Sequence, residues 1–163
     1  MRYGIFTSPR HAVKLINYLN YYQPGLEYII STDRYGPYEL DYDIGVCYGF
    51  KWLIADELLK KHDFYNFHPA PLPSHGDAGN YARGLHDLKN GRLKEWGVSL
   101  HRIDHGVDSG TVLQTISIPL ASIPVDAQEL GDIGHYWLFQ LFKKTIHALQ
   151  FKPKIKEELD RVC

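Results

Sequence analysis

Two polar residues near the middle of the chain have the types and spacing that binding and proton chemistry on a small ligand require. Asn66 and His68 are two positions apart in the segment Phe64-Tyr65-Asn66-Phe67-His68, which has the composition of a strand end. Residues two apart on a strand project to the same side, so both side chains can face one ligand. In open α/β sheets, ligands bind at the carboxyl ends of strands. The pair is therefore a candidate site.

Two flanking segments add to this pair. The loop that follows His68 contains three prolines, which fix its path, and Gly76, which allows close backbone approach to a ligand. Asp108 lies in a turn rich in small residues, Gly106-Val107-Asp108-Ser109-Gly110, where an unusual backbone and access are both possible. Each feature alone is also typical of ordinary structure, because single histidines usually pack and Asp-Ser-Gly is a common turn. Their order and spacing together favour a functional site.

The elements that position these residues alternate between strands and helices. Apolar runs predict strands over 3–7, 26–31, 44–48, 64–67, 97–103 and 112–119. Helical spacing predicts helices from Ser8-Pro9 onward, with Val13, Ile16 and Leu19 on the apolar side, and over 54–61, 81–89 and 126–149. This alternation predicts an α/β domain with a mostly parallel central sheet. The 12 residues between the second and third strands barely suffice for a crossover helix, so either that crossover is an irregular loop or the second strand is misplaced.

Length and composition set the limits. The 163 residues suit one domain, predicted over 1–163 with a charged tail at 151–163 that is either a short helix or frayed. A net charge of -1 argues against nucleic-acid or membrane-surface binding, and no run is long enough to span a bilayer. Cys47 fits a buried strand position, and Cys163 is the last residue, which together do not form a disulfide framework. We expect a cytoplasmic protein.

Taken together, the motifs resemble those of the folate-dependent formyltransferase family. The matching residues run in the family's order: Asn66-Phe67-His68-Pro69, Leu72-Pro73, Gly76, Gly97-Val98-Ser99-Leu100-His101, Val107-Asp108-Ser109-Gly110 and Gln114. The upstream segment Tyr48 to Ile54 is similar to the family's strand end and folate-lining loop. The specific resemblance covers about residues 44–119, and the combination is much more specific than any single piece.

The resemblance implies a single Rossmann-like formyltransferase domain that uses 10-formyltetrahydrofolate as donor and an amine as acceptor. It carries the family's catalytic roles onto Asn66, His68 and Asp108. It also places folate contacts near Trp52, Leu53, Ile54, His105 and Val107. Candidate acceptor contacts are Ser8, Arg10, Gly76, Asn80 and Tyr81. No metal is implied, and the sequence leaves the oligomeric state open.

The acceptor is the least determined part of this interpretation. The turn after the first strand, Thr7-Ser8-Pro9-Arg10-His11, lacks the glycine expected in glycinamide ribonucleotide transformylase, although Arg10 and the helix start can attract an anion. The short chain leaves no room for the extra domains of the transfer-RNA enzyme or the formyl-folate hydrolase. By elimination, a nucleotide-linked amino sugar is the leading acceptor. A glycinamide ribonucleotide acceptor and hydrolysis of the formyl folate remain alternatives.

Two other classes of function stay open. His101 and His105 have the His-x₃-His spacing of zinc ligands, with Asp104 adjacent, but the segment has the pattern of a strand and a turn rather than a helix. A non-catalytic folate-binding module is the second possibility, because a fold does not fix a function. Turnover of the formyl folate in the presence of an amine separates an enzyme from such a module.

Overall fold

A six-stranded sheet forms the centre of the structure. The structure is a computed structural model, and it describes residues 1–75 and 81–150. The strands are β1 (Arg2–Thr7), β2 (Glu27–Ser31), β3 (Ile44–Tyr48), β4 (Asp63–His68), β5 (Trp96–Arg102) and β6 (Val112–Ile118). Their order in the sheet is β2-β1-β3-β4-β5-β6. The first four strands in this order are parallel, and β5 and β6 are antiparallel to their neighbours, which confirms the predicted mostly parallel α/β sheet.

Helices cover both faces of the sheet. They are α1 (Pro9–Tyr22), α2 (Gly36–Glu39), α3 (Asp56–Leu59), α4 (Tyr81–Lys89) and α5 (Ala127–Thr145), and a 3₁₀ turn, Ile146–Gln150, follows α5. Asp126 caps α5, because its carboxylate accepts a hydrogen bond from the Glu129 backbone N–H at 2.8 Å. No helix in the described part of the chain has the length and apolarity needed to cross a membrane.

The alternation of side chains along the strands produces two unequal cores. The larger core joins one face of the sheet to α1, α4 and α5, and includes Ile5, Val46, Phe67 and Leu138, each fully buried. The smaller core lies on the other face, where Phe6, Cys47 and Phe64 pack with Leu58 of the short helix α3. Cys47 is thus a buried strand residue, as predicted. Asn66 and His68 have the same parity as Phe64, so they belong to the face that carries only the short helices.

The structure answers the question of the second strand and its crossover, and it corrects the predicted length of one helix and the predicted buried side of another. The second strand is correctly placed, since β2 pairs with β1 in parallel, and its connection to β3 holds the single turn α2 rather than an irregular loop. The helix predicted over 54–61 is shorter, Asp56–Leu59. Val13, expected on the buried side of α1, is 66% exposed, because the helix turns Leu15 and Leu19 to the core instead. The tail 151–163 lies outside the described residues, so a single domain over the whole chain stays a prediction.

Candidate active site

Asn66 and His68 occupy the end of β4, where the sheet changes from parallel to antiparallel pairing. His101 lies directly opposite Asn66 on β5, and Ser99 lies opposite His68. Facing residues in an antiparallel pair put their side chains on the same side of the sheet. Four polar side chains therefore share one small area of the sheet face. The sequence alone predicts the first two, whereas His101 joins them only through the register between β4 and β5.

A hydrogen-bonded turn brings Asp108 to this area. The Asp104 carboxylate accepts hydrogen bonds from the Ser109 hydroxyl at 2.6 Å and the Gly106 N–H at 3.0 Å, and these two bonds hold the pKa of Asp104 below its usual value. Asp108 itself has a positive φ of 50°, a conformation that Asp tolerates better than most residues. Gly110 lets the end of the turn lie directly against the Arg102 carbonyl oxygen, because a Cβ at this position would come within 1.7 Å of that oxygen. The turn fixes the direction of the Asp108 side chain.

One carboxylate oxygen of Asp108 is the common point of the cluster. The Asn66 amide donates to Asp108 Oδ1 at 3.3 Å, and the same oxygen lies 3.5 Å from His68 Nδ1 and 3.5 Å from His101 Nε2. His68 is fully buried and His101 is 2% exposed, while the Asp108 side chain is 11% exposed. The structure thus brings the three predicted catalytic residues together and adds His101.

The hydrogen bonds assign a tautomer to each imidazole. His101 Nδ1 lies 3.1 Å from the Arg102 carbonyl oxygen, so Nδ1 donates, and Nε2 accepts from the Asn66 amide at 3.1 Å. His68 Nε2 lies 2.8 Å from the His75 carbonyl oxygen, so Nε2 carries a proton and Nδ1 faces Asp108. Both rings are held in place, which is what a catalytic group needs before substrate arrives.

The loop after β4 is anchored under this cluster by Ser99. The Ser99 hydroxyl donates to the Ala70 carbonyl at 3.1 Å and accepts from the Leu72 N–H at 3.0 Å. His75, at the end of the described part of the loop, packs edge-on against Trp96 at 5.4 Å and lies 3.4 Å from Asp87 of α4. These contacts place the His75 carbonyl where it meets His68.

The residues predicted to contact the folate lie on two neighbouring surface segments. Trp52, Leu53 and Val107 are exposed, while Ile54 packs against the smaller core. His105 Nδ1 lies 2.7 Å from Asp56 Oδ1, so the turn that carries Asp108 is tied to the start of α3. Both segments thus present exposed apolar side chains.

The predicted acceptor residues are only partly brought together. Arg10, near the start of α1, forms an ion pair with Asp132 of α5 at 3.8 Å. Tyr81, the first residue of α4, has its hydroxyl 3.2 Å from His135 Nε2. Ser8 is the N-cap residue of α1, and its side chain makes no capping hydrogen bond. Gly76 and Asn80 lie outside the described residues.

His11 and His135 are two further residues of this region that local sequence patterns do not reveal. Their ring centroids are 5.0 Å apart, and His11 also packs edge-on against Tyr48 at 5.2 Å. Burial, followed by the charges of His135, Arg10 and Lys14, lowers the pKa of His11 to about 4. Burial also lowers the pKa of His135 and raises that of Tyr81 to about 12. The one signal for His11 is its place after β1, but its partner is more than a hundred residues away.

The spacing of His101 and His105 has a different structural meaning from the one a zinc site requires. His101 faces Asn66 and Asp108, whereas His105 pairs with Asp56 on α3. No group of three or more potential ligands in the described residues is arranged to hold a metal ion.

Comparison with known proteins gives one sequence relative and many structural ones. No protein-family model matches the chain. Phosphoribosylglycinamide formyltransferase of Dictyostelium discoideum is 33% identical over 94 residues, which cover 53% of this chain and 45% of that protein. The matched region thus spans about half the length of each.

Solved structures with the same fold are also formyltransferases. A phosphoribosylglycinamide formyltransferase of Campylobacter jejuni superposes with a TM-score of 0.70 at 15% identity, over 91% of this chain and 97% of that one. A sugar N-formyltransferase of Shewanella gives 0.68 at 17% identity, over 94% and 71%. The formyltransferase PseJ of Anoxybacillus kamchatkensis, in complex with a formamido sugar nucleotide and tetrahydrofolate, gives 0.60 at 16% identity, over 96% and 77%. The chain therefore has the fold of these formyltransferases and is similar in sequence to one of them over about half of its length.

Proposed function

We propose that the protein transfers a formyl group from 10-formyltetrahydrofolate to a primary amine, with Asn66, His68 and Asp108 as catalytic residues. The observation that carries this proposal is the convergence of Asn66, His68 and His101 on one oxygen of Asp108, at 3.3 to 3.5 Å. The cluster lies at the carboxyl end of β4, beside two segments with exposed apolar side chains. An amide, an imidazole and a carboxylate are the groups that formyl transfer to an amine uses.

The reaction needs stabilisation of one developing negative charge and movement of one proton. A neutral amine attacks the formyl carbon, and the carbonyl oxygen becomes an oxyanion. The carbon–N10 bond of the folate then breaks, the amine loses a proton, and N10 gains one. Asn66 and His68 are the hydrogen-bond donors for the oxyanion, and Asp108 orients His68 or passes the proton through water.

The structure suggests how the substrate oxygen engages these donors. Both amide hydrogens of Asn66 are used, one by His101 and one by Asp108, and the Nε2 proton of His68 is used by the His75 carbonyl. The formyl oxygen would take the place of one of these internal acceptors. Because the donors are already held in position, the exchange costs little reorganisation, which is the source of electrostatic catalysis.

The donor assignment rests on the surface next to the cluster. Trp52, Leu53 and Val107 leave apolar area exposed on both sides of the His105–Asp56 pair. Flat, partly apolar ligands such as a pterin bind against surfaces of this kind while backbone groups meet their polar atoms. The structural relative PseJ contains tetrahydrofolate, which supports a folate as the donor.

For the acceptor we propose a nucleotide-linked amino sugar. The structure has α1 starting at Pro9, directly after β1 ends at Thr7, so no glycine-containing loop is present there to enclose a phosphate. Sugar N-formyltransferases are among the structural relatives. The sequence relative is a phosphoribosylglycinamide enzyme, which makes that substrate the second candidate.

The test is a turnover assay with 10-formyltetrahydrofolate and a panel of amines, following release of tetrahydrofolate by absorbance. We expect turnover with an amino-sugar nucleotide and little with phosphoribosylglycinamide; the reverse preference would replace the acceptor but keep the reaction. Turnover without any amine would identify a hydrolase. Folate binding without turnover on any amine would identify a binding module and refute the proposal.

A single substitution tests the catalytic assignment. His68→Asn should lower kcat by about 10²–10³, the usual effect of losing one preorganised donor, and leave folate binding nearly unchanged. His147→Asn is the matched control, because His147 is exposed on the final 3₁₀ turn, and it should retain full activity. Retained activity in His68→Asn would remove this residue from the mechanism.

A further inference from the structure

One large cavity of the described part of the chain lies away from the catalytic cluster. It is an open groove of about 1490 Å³ between α1 and α5, here called the α1–α5 groove. The helices run side by side, with Arg10 beside Asp132 at one end and Tyr18 donating to the Lys143 carbonyl at the other. Ligand cavities in proteins measure roughly 300–1,000 Å³, so the groove has ample room for a small molecule.

The groove carries an unbalanced positive charge. Lys14 and Lys143 approach the same ring, with their ammonium nitrogens 4.0 Å and 5.3 Å from the centroid of Phe139. Burial, and then repulsion by Lys143, lowers the pKa of Lys14. Arg10 and Lys144 also line the groove, and among the described residues that line it none is Asp or Glu. An anion between the two lysines would relieve their repulsion, so the positive charge of the groove favours an anionic ligand.

Exposed tyrosines form the other half of the groove. Tyr21 is 77% exposed and Tyr22 is 65% exposed, although both are large aromatic side chains. Tyr22 stacks on Tyr18 with ring centroids 5.4 Å apart, and Tyr21 packs against Tyr22 at 4.7 Å. Aromatic rings fixed in this way present a surface on which the base of a nucleotide can stack.

The cationic half and the tyrosine half of the groove each include residues of α1, at different positions along its axis. Tyr21 lies seven positions after Lys14, which a helical rise of 1.5 Å converts to roughly 10 Å along the axis. A ligand that reaches both must have an anionic end and a flat aromatic end. A second copy of this chain fits less well, because a symmetric contact would bring two sets of cations together.

We propose that the α1–α5 groove binds a nucleoside phosphate, with its phosphates between Lys14 and Lys143 and its base against Tyr21 and Tyr22. Lys144 adds to the field that attracts the phosphates, while the charge of Arg10 is offset by Asp132. Stacking on tyrosine tolerates any base, so the groove selects the class of ligand rather than one base. This site is separate from the cluster of Asn66, His68 and Asp108, which none of the lining residues joins.

Isothermal titration calorimetry of the full chain with ADP, without folate, tests the proposal. We expect saturable binding that weakens as salt is raised, because the phosphates meet exposed cations. Pyrophosphate and adenosine are titrated separately, and each should bind more weakly than ADP if both halves of the groove contribute. Equal binding of pyrophosphate and ADP, or no binding of ADP, would refute the nucleotide assignment.

Substitutions locate the site. Lys14→Glu combined with Lys143→Glu should raise the Kd for ADP by about tenfold or more, and Tyr21→Ala should raise it by about tenfold. Lys94→Glu, an exposed lysine before β5, is the matched charge control and should bind ADP normally. Because Tyr21 is exposed, its substitution should leave the fold intact even if the double charge reversal does not. Unchanged ADP binding in Tyr21→Ala would overturn the proposal.

Two further results separate nucleotide binding in the groove from formyl transfer and from dimerisation. ADP binding should persist in His68→Asn, so loss of formyl transfer and loss of groove binding are distinguishable. Sedimentation should give the same oligomeric state for the wild-type protein and for Tyr21→Ala. A dimer that Tyr21→Ala dissociates would show that a second copy occupies the groove, and it would refute the proposal.

Discussion

Three polar side chains from two neighbouring strands converge on the Asp108 carboxylate. Asn66 and His68 reach it from β4 and His101 reaches it from β5, all within 3.5 Å. A carboxylate so placed accepts a hydrogen bond from the amide, and it attracts the His68 ring when Nδ1 of that ring also takes up a proton. Asp108 is held by its turn, in which Asp104 accepts two hydrogen bonds. Asp108 therefore has a structural role in its turn and a proposed role in catalysis. A useful substitution must preserve the turn and remove the charge.

Asp108→Asn makes this separation. Asn keeps the size of the side chain and tolerates positive φ, so the turn should remain. Without the charge, His68 loses its electrostatic partner, and we expect kcat/KM for formyl transfer to fall by about 10²–10⁴ with an altered pH profile. Kinetics over a range of pH, with folate affinity measured in parallel, provide the check. Asp41→Asn, at an exposed position, is the control, and an unchanged profile in Asp108→Asn would leave Asp108 as a turn residue only.

At the scale of elements, α4 and β5 form the support beneath the loop after β4. Trp96, the first residue of β5, is 1% exposed and contacts both His75 and Tyr81. Gly84 of α4 lets the helix lie directly on this ring, since a Cβ at Gly84 would come within 2.3 Å of it. The position of His75, and through it the hydrogen bond to His68, depends on this close packing.

Gly84→Ala should therefore destabilise the protein, although alanine normally stabilises a helix interior by about 1 kcal/mol relative to glycine. The buried Trp96 ring cannot move aside easily, and we expect a net loss of about 1–3 kcal/mol in the free energy of unfolding. Urea unfolding followed by tryptophan fluorescence measures it. Gly25→Ala is the control, because no atom lies within 4 Å of a Cβ there, and it should change stability little. A Gly84→Ala protein as stable as wild type would mean that α4 does not rest on Trp96 as described.

Local patterns are enough to predict the strands and the pair Asn66 and His68, because these depend on residues near one another in sequence. The position of His101 depends on the register of β5 against β4, which no local pattern contains. The predicted phase of α1 is wrong at Val13, since Val13 and Leu15 are both apolar and only packing decides which is buried. Helix α3 is short because Lys60 and Lys61 are followed closely by β4, so apolar spacing alone overestimates it.

For the whole molecule, the contact between His11 and His135 joins the beginning of the chain to its last long helix. His11 on α1 packs between Tyr48 of β3 and His135 of α5. Gly49, with a positive φ of 62°, gives His11 room, because a Cβ there would lie 2.8 Å from the ring. The imidazole pair thus covers the ends of β1 and β3 between α1 and α5, and protonation of both rings would make them repel each other.

This pair gives folding stability a dependence on pH. The folded-state pKa of His11 is about 4, below the value near 6.5 of an unfolded chain, so the unfolded state binds more protons between these pH values. The contribution of His11 to the free energy of unfolding is then fully present above pH 6.5 and is lost as the pH drops toward 4. We expect His11 to account for about 1–2 kcal/mol of that loss, after allowing for solvent screening of a half-buried ring.

Comparing wild type with His11→Asn isolates this contribution. The groups that interact with His11 remain in both proteins: His135 on α5, Arg10 and Lys14 on α1, and Tyr48 on β3. Asp132 and Tyr81, which interact with His135, also remain. Urea unfolding at pH 5 and pH 7.5 should show a smaller drop for His11→Asn than for wild type, whereas His147→Asn should behave like wild type. If both drops are equal, His11 titrates in the folded state as it does in the unfolded chain. The imidazole pair would then contribute nothing to the closure of α1 against α5.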